Sequence, residues 1–102
     1  MANYELTKDA ERDLQQIARY TLDKWGKAQL LRYKSGLKNT FKLIGQNKVI
    51  PRLFSRKYPQ LQVAKYQHHF IFYLAEENEK PVIIGVIHEE RDVVNQLTAR
   101  LS

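Results

Sequence analysis

No cysteine occurs among the 102 residues. That excludes a disulfide scaffold and a thiolate metal site, and nothing argues for an oxidising compartment. Glycine and proline are scarce, at four and three residues. The glycines form no phosphate-cradling loop, and no serine sits in a nucleophile elbow. The longest apolar runs fall far short of a membrane span, so no membrane partner is expected. Met1–Glu5 carries neither the basic nor the apolar stretch of a secretory signal, which makes the cytoplasm the default location. Acidic residues are missing from half the chain. Between Lys24 and Ala75 stand eleven Lys or Arg residues and not one Asp or Glu.

What is present describes one globular domain over residues 1–102. The hydrophobic share of 43% and charged share of 27% are ordinary for a folded chain with a modest core. The net charge of +6 is concentrated in the acid-free middle segment, a pattern that favours an anionic partner over a mixed solvated surface.

Periodicity sets the element order. Tyr4–Thr7 alternates as a short strand, and Thr7 can cap a helix with Asp9 and Glu11 in its first turn. Ala10, Leu14, Ile17, Ala18, Thr21 and Trp25 recur at helical spacing as one apolar face, ending at Gly26. Leu30, Tyr33, Leu37, Phe41 and Ile44 repeat the pattern, so the two helices form an antiparallel hairpin. Residues 49–59 contain Pro51 and Pro59 and predict a loop. Leu61–Tyr66, His69–Ala75 and Pro81–His88 read as strands, the last two as a hairpin across the polar turn Glu76–Lys80. Near-continuous apolarity in both predicts a central position or cover on both faces. Asp92–Leu101 reads as a short helix whose Val93, Val94, Leu97 and Leu101 dock on the rest. The expected class is α+β: a helical hairpin on a small, mainly antiparallel sheet.

The polar residues suggest limited chemistry. Adjacent His68 and His69 open a strand, which sends their side chains to opposite faces, and His88 ends another strand alone. With no HxxxH pattern, neither a metal site nor a cofactor is expected. His88 could act as a general base, with the structural reading of a packed strand-end histidine set against it. Tyr33 and Tyr73 read as core, while Tyr58 and Tyr66 lie in or beside the basic segment. On the second helix Lys27, Lys34, Lys38 and Lys42 share a sector of roughly 80°, with the apolar Leu31 among them. That margin suits an amphipathic acidic helix, the bland alternative being a solvated face.

Taken together, Ala10-x-x-Asp13-Leu14-x-x-Ile17, Tyr20, Trp25-Gly26, Phe70-Ile71-Phe72-Tyr73 and Val86-Ile87-His88-x-x-x-Asp92 resemble the ParE branch of the RelE/ParE toxins. The resemblance runs nearly end to end. It implies the toxin of a bacterial type II toxin–antitoxin pair that inhibits DNA gyrase, contacts DNA at most indirectly, and is neutralised by an acidic cognate antitoxin. The expected antitoxin-binding residues are Leu31, Lys34, Lys38 and Lys42, and the candidate target contacts are Arg56, Lys57 and Arg91. Two alternatives stay open: a ribosome-dependent messenger endoribonuclease using His88, Arg91 and His69, and an inactive antitoxin-binding module. Against the nuclease, Glu89 and Glu90 after His88 would repel a phosphate backbone. Asp92 can instead cap the last helix.

Overall fold

The computed structural model describes residues 3–101. Its elements are β1 (Glu5–Leu6), α1 (Lys8–Trp25), α2 (Lys27–Gly45), β2 (Leu61–Tyr66), β3 (His69–Leu74), β4 (Val82–His88) and α3 (Val93–Leu101). The sheet order is β1-β4-β3-β2, with β1 parallel to β4 and the other neighbours antiparallel.

Local chemistry marks the helix ends. The Ala10 N–H donates to the Thr7 hydroxyl at 3.2 Å, satisfying one orphan donor of α1. Gly26 closes α1 at φ +88°, a conformation that costs glycine little, and its N–H reaches the Leu22 carbonyl. The Asn95 N–H donates to Asp92 Oδ1 at 3.3 Å, so Asp92 caps α3 as its position predicts. The 49–59 segment is mostly irregular, yet it covers part of the β2 edge. Leu53 bridges Gln62, and the Val63 N–H donates to the Arg52 carbonyl at 2.9 Å.

The sheet is covered on both faces, which explains the unbroken apolar runs of β3 and β4. On one side Tyr33, Leu37, Phe41 and Ile44 of α2 pack with Ala10, Ile71, Tyr73, Ile83 and Val86. On the other, Leu97 of α3 packs with Leu61, Phe72, Ile84 and Ile87. Simple alternation would put Ile83 and Ile87 on the same face, and it does not hold. Phe72 pairs with Gly85 while Tyr73 pairs with Ile83, so Ile84 is an extra residue, a β-bulge that reverses the parity of β4.

Two expected core positions are wrong. Trp25 is 65% exposed and Val94 62% exposed. Trp25 lies in the last turn of α1 and belongs to neither core cluster. On α3 the inward positions are Val93, Leu97 and Leu101, one turn apart, with Val94 rotated outward.

Candidate functional site

A groove of about 800 Å³ opens between α1, the start of α2 and the ends of β3 and β4. Helical spacing supplies one wall, because Asp13, Gln16, Ile17 and Tyr20 project from the same side of α1. Trp25, Gln29 and Tyr33 continue that wall through the hairpin bend, and His68, His69, His88 and Arg91 stand opposite.

The histidines do not scatter. His69 and His88 are register partners across β3 and β4, with ring centroids 5.1 Å apart in an edge-on contact. Gln67 and His68 form a two-residue turn, with Gln67 at φ +51°, so strict strand alternation does not apply to His68. Its ring stacks on His88 at 6.2 Å instead of leaving by the opposite face. The expectations of diverging His68 and His69 side chains and of a solitary His88 are therefore both corrected. Among the described residues, however, no group of three His, Cys, Asp or Glu side chains is arranged to hold a metal ion.

Burial sets the state of two groups in this cluster. The Tyr33 hydroxyl and His69 Nδ1 are hydrogen-bonded to each other. Burial, then the neighbouring His88 and His68, push His69 down to about 4. Burial and the nearby Tyr66 push the Tyr33 phenol up to about 12. Both groups are neutral at pH 7, and neither is poised near it for proton transfer. The Glu90 N–H donates to His88 Nδ1 at 3.1 Å, which leaves the proton of the neutral ring on Nε2. Glu89 is engaged by Lys65 at 2.7 Å and by His68 at 3.1 Å, and these hydrogen bonds hold its carboxyl down at about 2. Its charge is thus largely compensated, and the repulsion expected of it is weaker than its sequence position implies. Among the described residues, Arg91 is the one Lys or Arg lining the groove.

A second polar arrangement was invisible as a pair. Arg100 Nη1 and Nη2 donate to Asp13 Oδ2 and Oδ1 at 2.7 and 2.9 Å. Asp13 Oδ2 also accepts the Val86 N–H at 2.9 Å, and Arg100 Nη1 donates to the Ile84 carbonyl at 3.0 Å. β1 stops after two residues, so β4 beyond Ile83 lacks a strand neighbour on that edge. The pair supplies the missing partners. Gly85 allows the approach, since a Cβ there would lie 2.6 Å from Arg100 Nη1. An acid on an otherwise apolar helix face was the available signal for Asp13; nothing in α3 singled out Arg100.

Leu31, Lys34, Lys38 and Lys42 are exposed on α2, and none lines the groove. Arg56 and Lys57 are exposed in the 49–59 segment, where Lys57 borders a smaller cavity of about 170 Å³ with Val94 and Leu97. Arg91 lines the large groove, which Arg56 and Lys57 do not.

Comparison with known proteins identifies the family. The model of the ParE toxin of type II toxin–antitoxin systems, parDE, matches residues 4–93. The chain belongs to the ParE toxin family. Toxin ParE of Escherichia coli is 34% identical over 101 residues, 99% of this chain and 98% of that one. A solved chain of the chromosomal ParDE TA system from P. aeruginosa has a TM-score of 0.72 at 17% identity, covering 88% of this chain and 98% of its own. That structural likeness speaks for the fold: an N-terminal strand, a helical hairpin and a four-stranded mixed sheet recur in a ParDE toxin–antitoxin system. No helix of this ParE-family chain is long and apolar enough to cross a membrane among the described residues.

Proposed function

We propose that this ParE-family toxin acts in the cytoplasm by binding DNA gyrase and blocking replication, with no catalytic step of its own. The observation that carries the reading is the shortage of cations in the groove, with His69 and Tyr33 tuned away from neutrality. Cleaving a phosphodiester needs a proton donor or acceptor tuned near neutrality and cations for the developing charge. His69 at about 4 and Tyr33 at about 12 are tuned away from it, and among the described residues Arg91 is the one Lys or Arg that lines the groove. A toxin of this kind works by occupancy. Arg91 in the groove and Arg56 and Lys57 outside it are the candidate contacts with the target.

The cognate antitoxin is the second partner. An acidic amphipathic segment fits α2, with Leu31, 55% exposed, as apolar anchor and Lys34, Lys38 and Lys42 as cationic margin.

The test is direct. Purified protein should inhibit supercoiling of plasmid DNA by gyrase and leave ribosome-bound messenger intact. Codon-dependent cleavage in a translation extract, with gyrase unaffected, would replace this reading with the nuclease one.

A further inference from the structure

The groove offers chemistry that inhibition by occupancy does not require. Trp25 and Tyr20 stand at one wall, 65% and 59% exposed, with Lys24 Nζ over the Tyr20 ring at 5.5 Å from its centroid. Amides supplement them. Arg32 donates to Gln29 Oε1 at 3.0 Å, which leaves the Gln29 amide nitrogen to donate. Gln67 Nε2 donates to the Tyr66 hydroxyl at 3.3 Å, which leaves Gln67 Oε1 to accept. The groove is also nearly neutral within a chain of net charge +6. Asp13 is spent on Arg100 and Glu89 on Lys65 and His68, so Glu90 and Arg91 are the remaining formal charges among the described lining residues, with the Lys24 ammonium beside Tyr20.

Flat aromatic faces, an unspent amide donor, an unspent amide acceptor and one lining cation match a planar heteroaromatic ring attached to one phosphate. A long polyanionic strand needs a track of cations, and the groove has none. The volume of about 800 Å³ is ample for one nucleotide. We propose that the groove receives one unstacked nucleobase of a single-stranded nucleic acid, stacked on Trp25 and Tyr20, with its phosphate on Arg91. The proposal does not depend on gyrase being the target.

Trp25 is the only tryptophan, so its fluorescence reports on this groove alone. Titration with single-stranded DNA and RNA decamers should quench it, and whichever strand binds tighter identifies the source of the base. The same sequence as a duplex should leave the emission unchanged. Affinity should fall with salt at a log–log slope of about −1 or shallower, as expected of a single phosphate contact. Tyr20→Ala, at an exposed position, should retain the wild-type circular dichroism and bind roughly tenfold more weakly. Three results would overturn the proposal. One is no quenching by either strand at low ionic strength. Another is a steep slope of several charges with Trp25 unperturbed, which moves binding to the lysine face of α2. The third is a Trp25 signal that responds to purified gyrase and to no oligonucleotide, which makes Trp25 an anchor for protein.

Discussion

The guanidinium of Arg100 grips the carboxylate of Asp13 through two hydrogen bonds of 2.7 and 2.9 Å, tying α3 to α1 across the unfinished edge of β4. Both side chains are mostly buried, at 15% and 11% exposure. Removing one partner strands the other's charge, at a cost of roughly 3–5 kcal/mol. Arg100→Met should therefore lower the urea midpoint sharply. Asp13→Leu with Arg100→Met should cost less than the sum of the two, by about 1–3 kcal/mol of coupling. Gly85→Ala should destabilise the wild type and do so less in the Arg100→Met background, where the guanidinium no longer blocks the new methyl. Additive free energies in a denaturation cycle would contradict this.

Leu97 and Val94 make a contrasting pair on α3. Leu97 is 1% exposed and shares a core with Phe72 and Ile87, so Leu97→Ala should cost about 3 kcal/mol. Val94 faces solvent, and Val94→Ala should stay within about 0.5 kcal/mol of the wild type. Equal losses in thermal melts would mean that α3 is seated differently.

Stability should fall on mild acidification because of His69. Its folded value of about 4 lies below the ordinary 6.5, so the unfolded chain binds the extra proton first. The contribution is fully present above pH 6.5 and is lost as pH falls towards 4. Glu89, held at about 2, has a separate window, lost between its ordinary 4.5 and 2. Melting temperatures measured from pH 7 to 4.5 should decline, and His69→Gln should flatten that decline. A wild-type curve flat over this range would refute it.

His88 joins the two other imidazoles and accepts the Glu90 N–H, a packing role. His88→Gln should lower stability by about 1 kcal/mol and preserve growth inhibition per folded molecule. A fully folded His88→Gln protein without toxicity would point to catalysis instead.

The α2 stripe should govern antitoxin association more than its final affinity. Each exposed ion pair contributes about 0.2–1 kcal/mol, while the summed field acts on encounter rate. Changing Lys34, Lys38 and Lys42 to Glu should slow association and flatten its dependence on ionic strength, with the fold intact. Unaltered kinetics by stopped flow would reduce the stripe to a solvated face.

The elements were legible because each carries its own local signal: the Thr7 cap, the Gly26 stop, the apolar runs of β3 and β4. The candidate site was legible only as parts. His69 and His88 meet through strand register, and His68 joins them through a two-residue turn; neither has a one-dimensional signature. Asp13 and Arg100 meet because a bulge at Ile84 turns the Val86 N–H outward. The error at Trp25 has a simpler origin, since helical periodicity reports a face and not how far along the helix that face stays covered.

The distance along the chain between Asp13 and Arg100, 87 residues, bears on how this toxin comes into being. The helical hairpin is built from near neighbours and can form in the fast regime of local contacts. The β1–β4 pairing and the Asp13–Arg100 grip must close most of the chain before either returns any free energy, with a loop-closure cost that grows by about 0.6 kcal/mol per doubling of length. Those late closures are what bring α1 against the ends of β3 and β4. A partly folded molecule can therefore display the lysine face of α2 while the groove does not yet exist. An acidic partner that recognises α2 would meet its surface before the groove is complete.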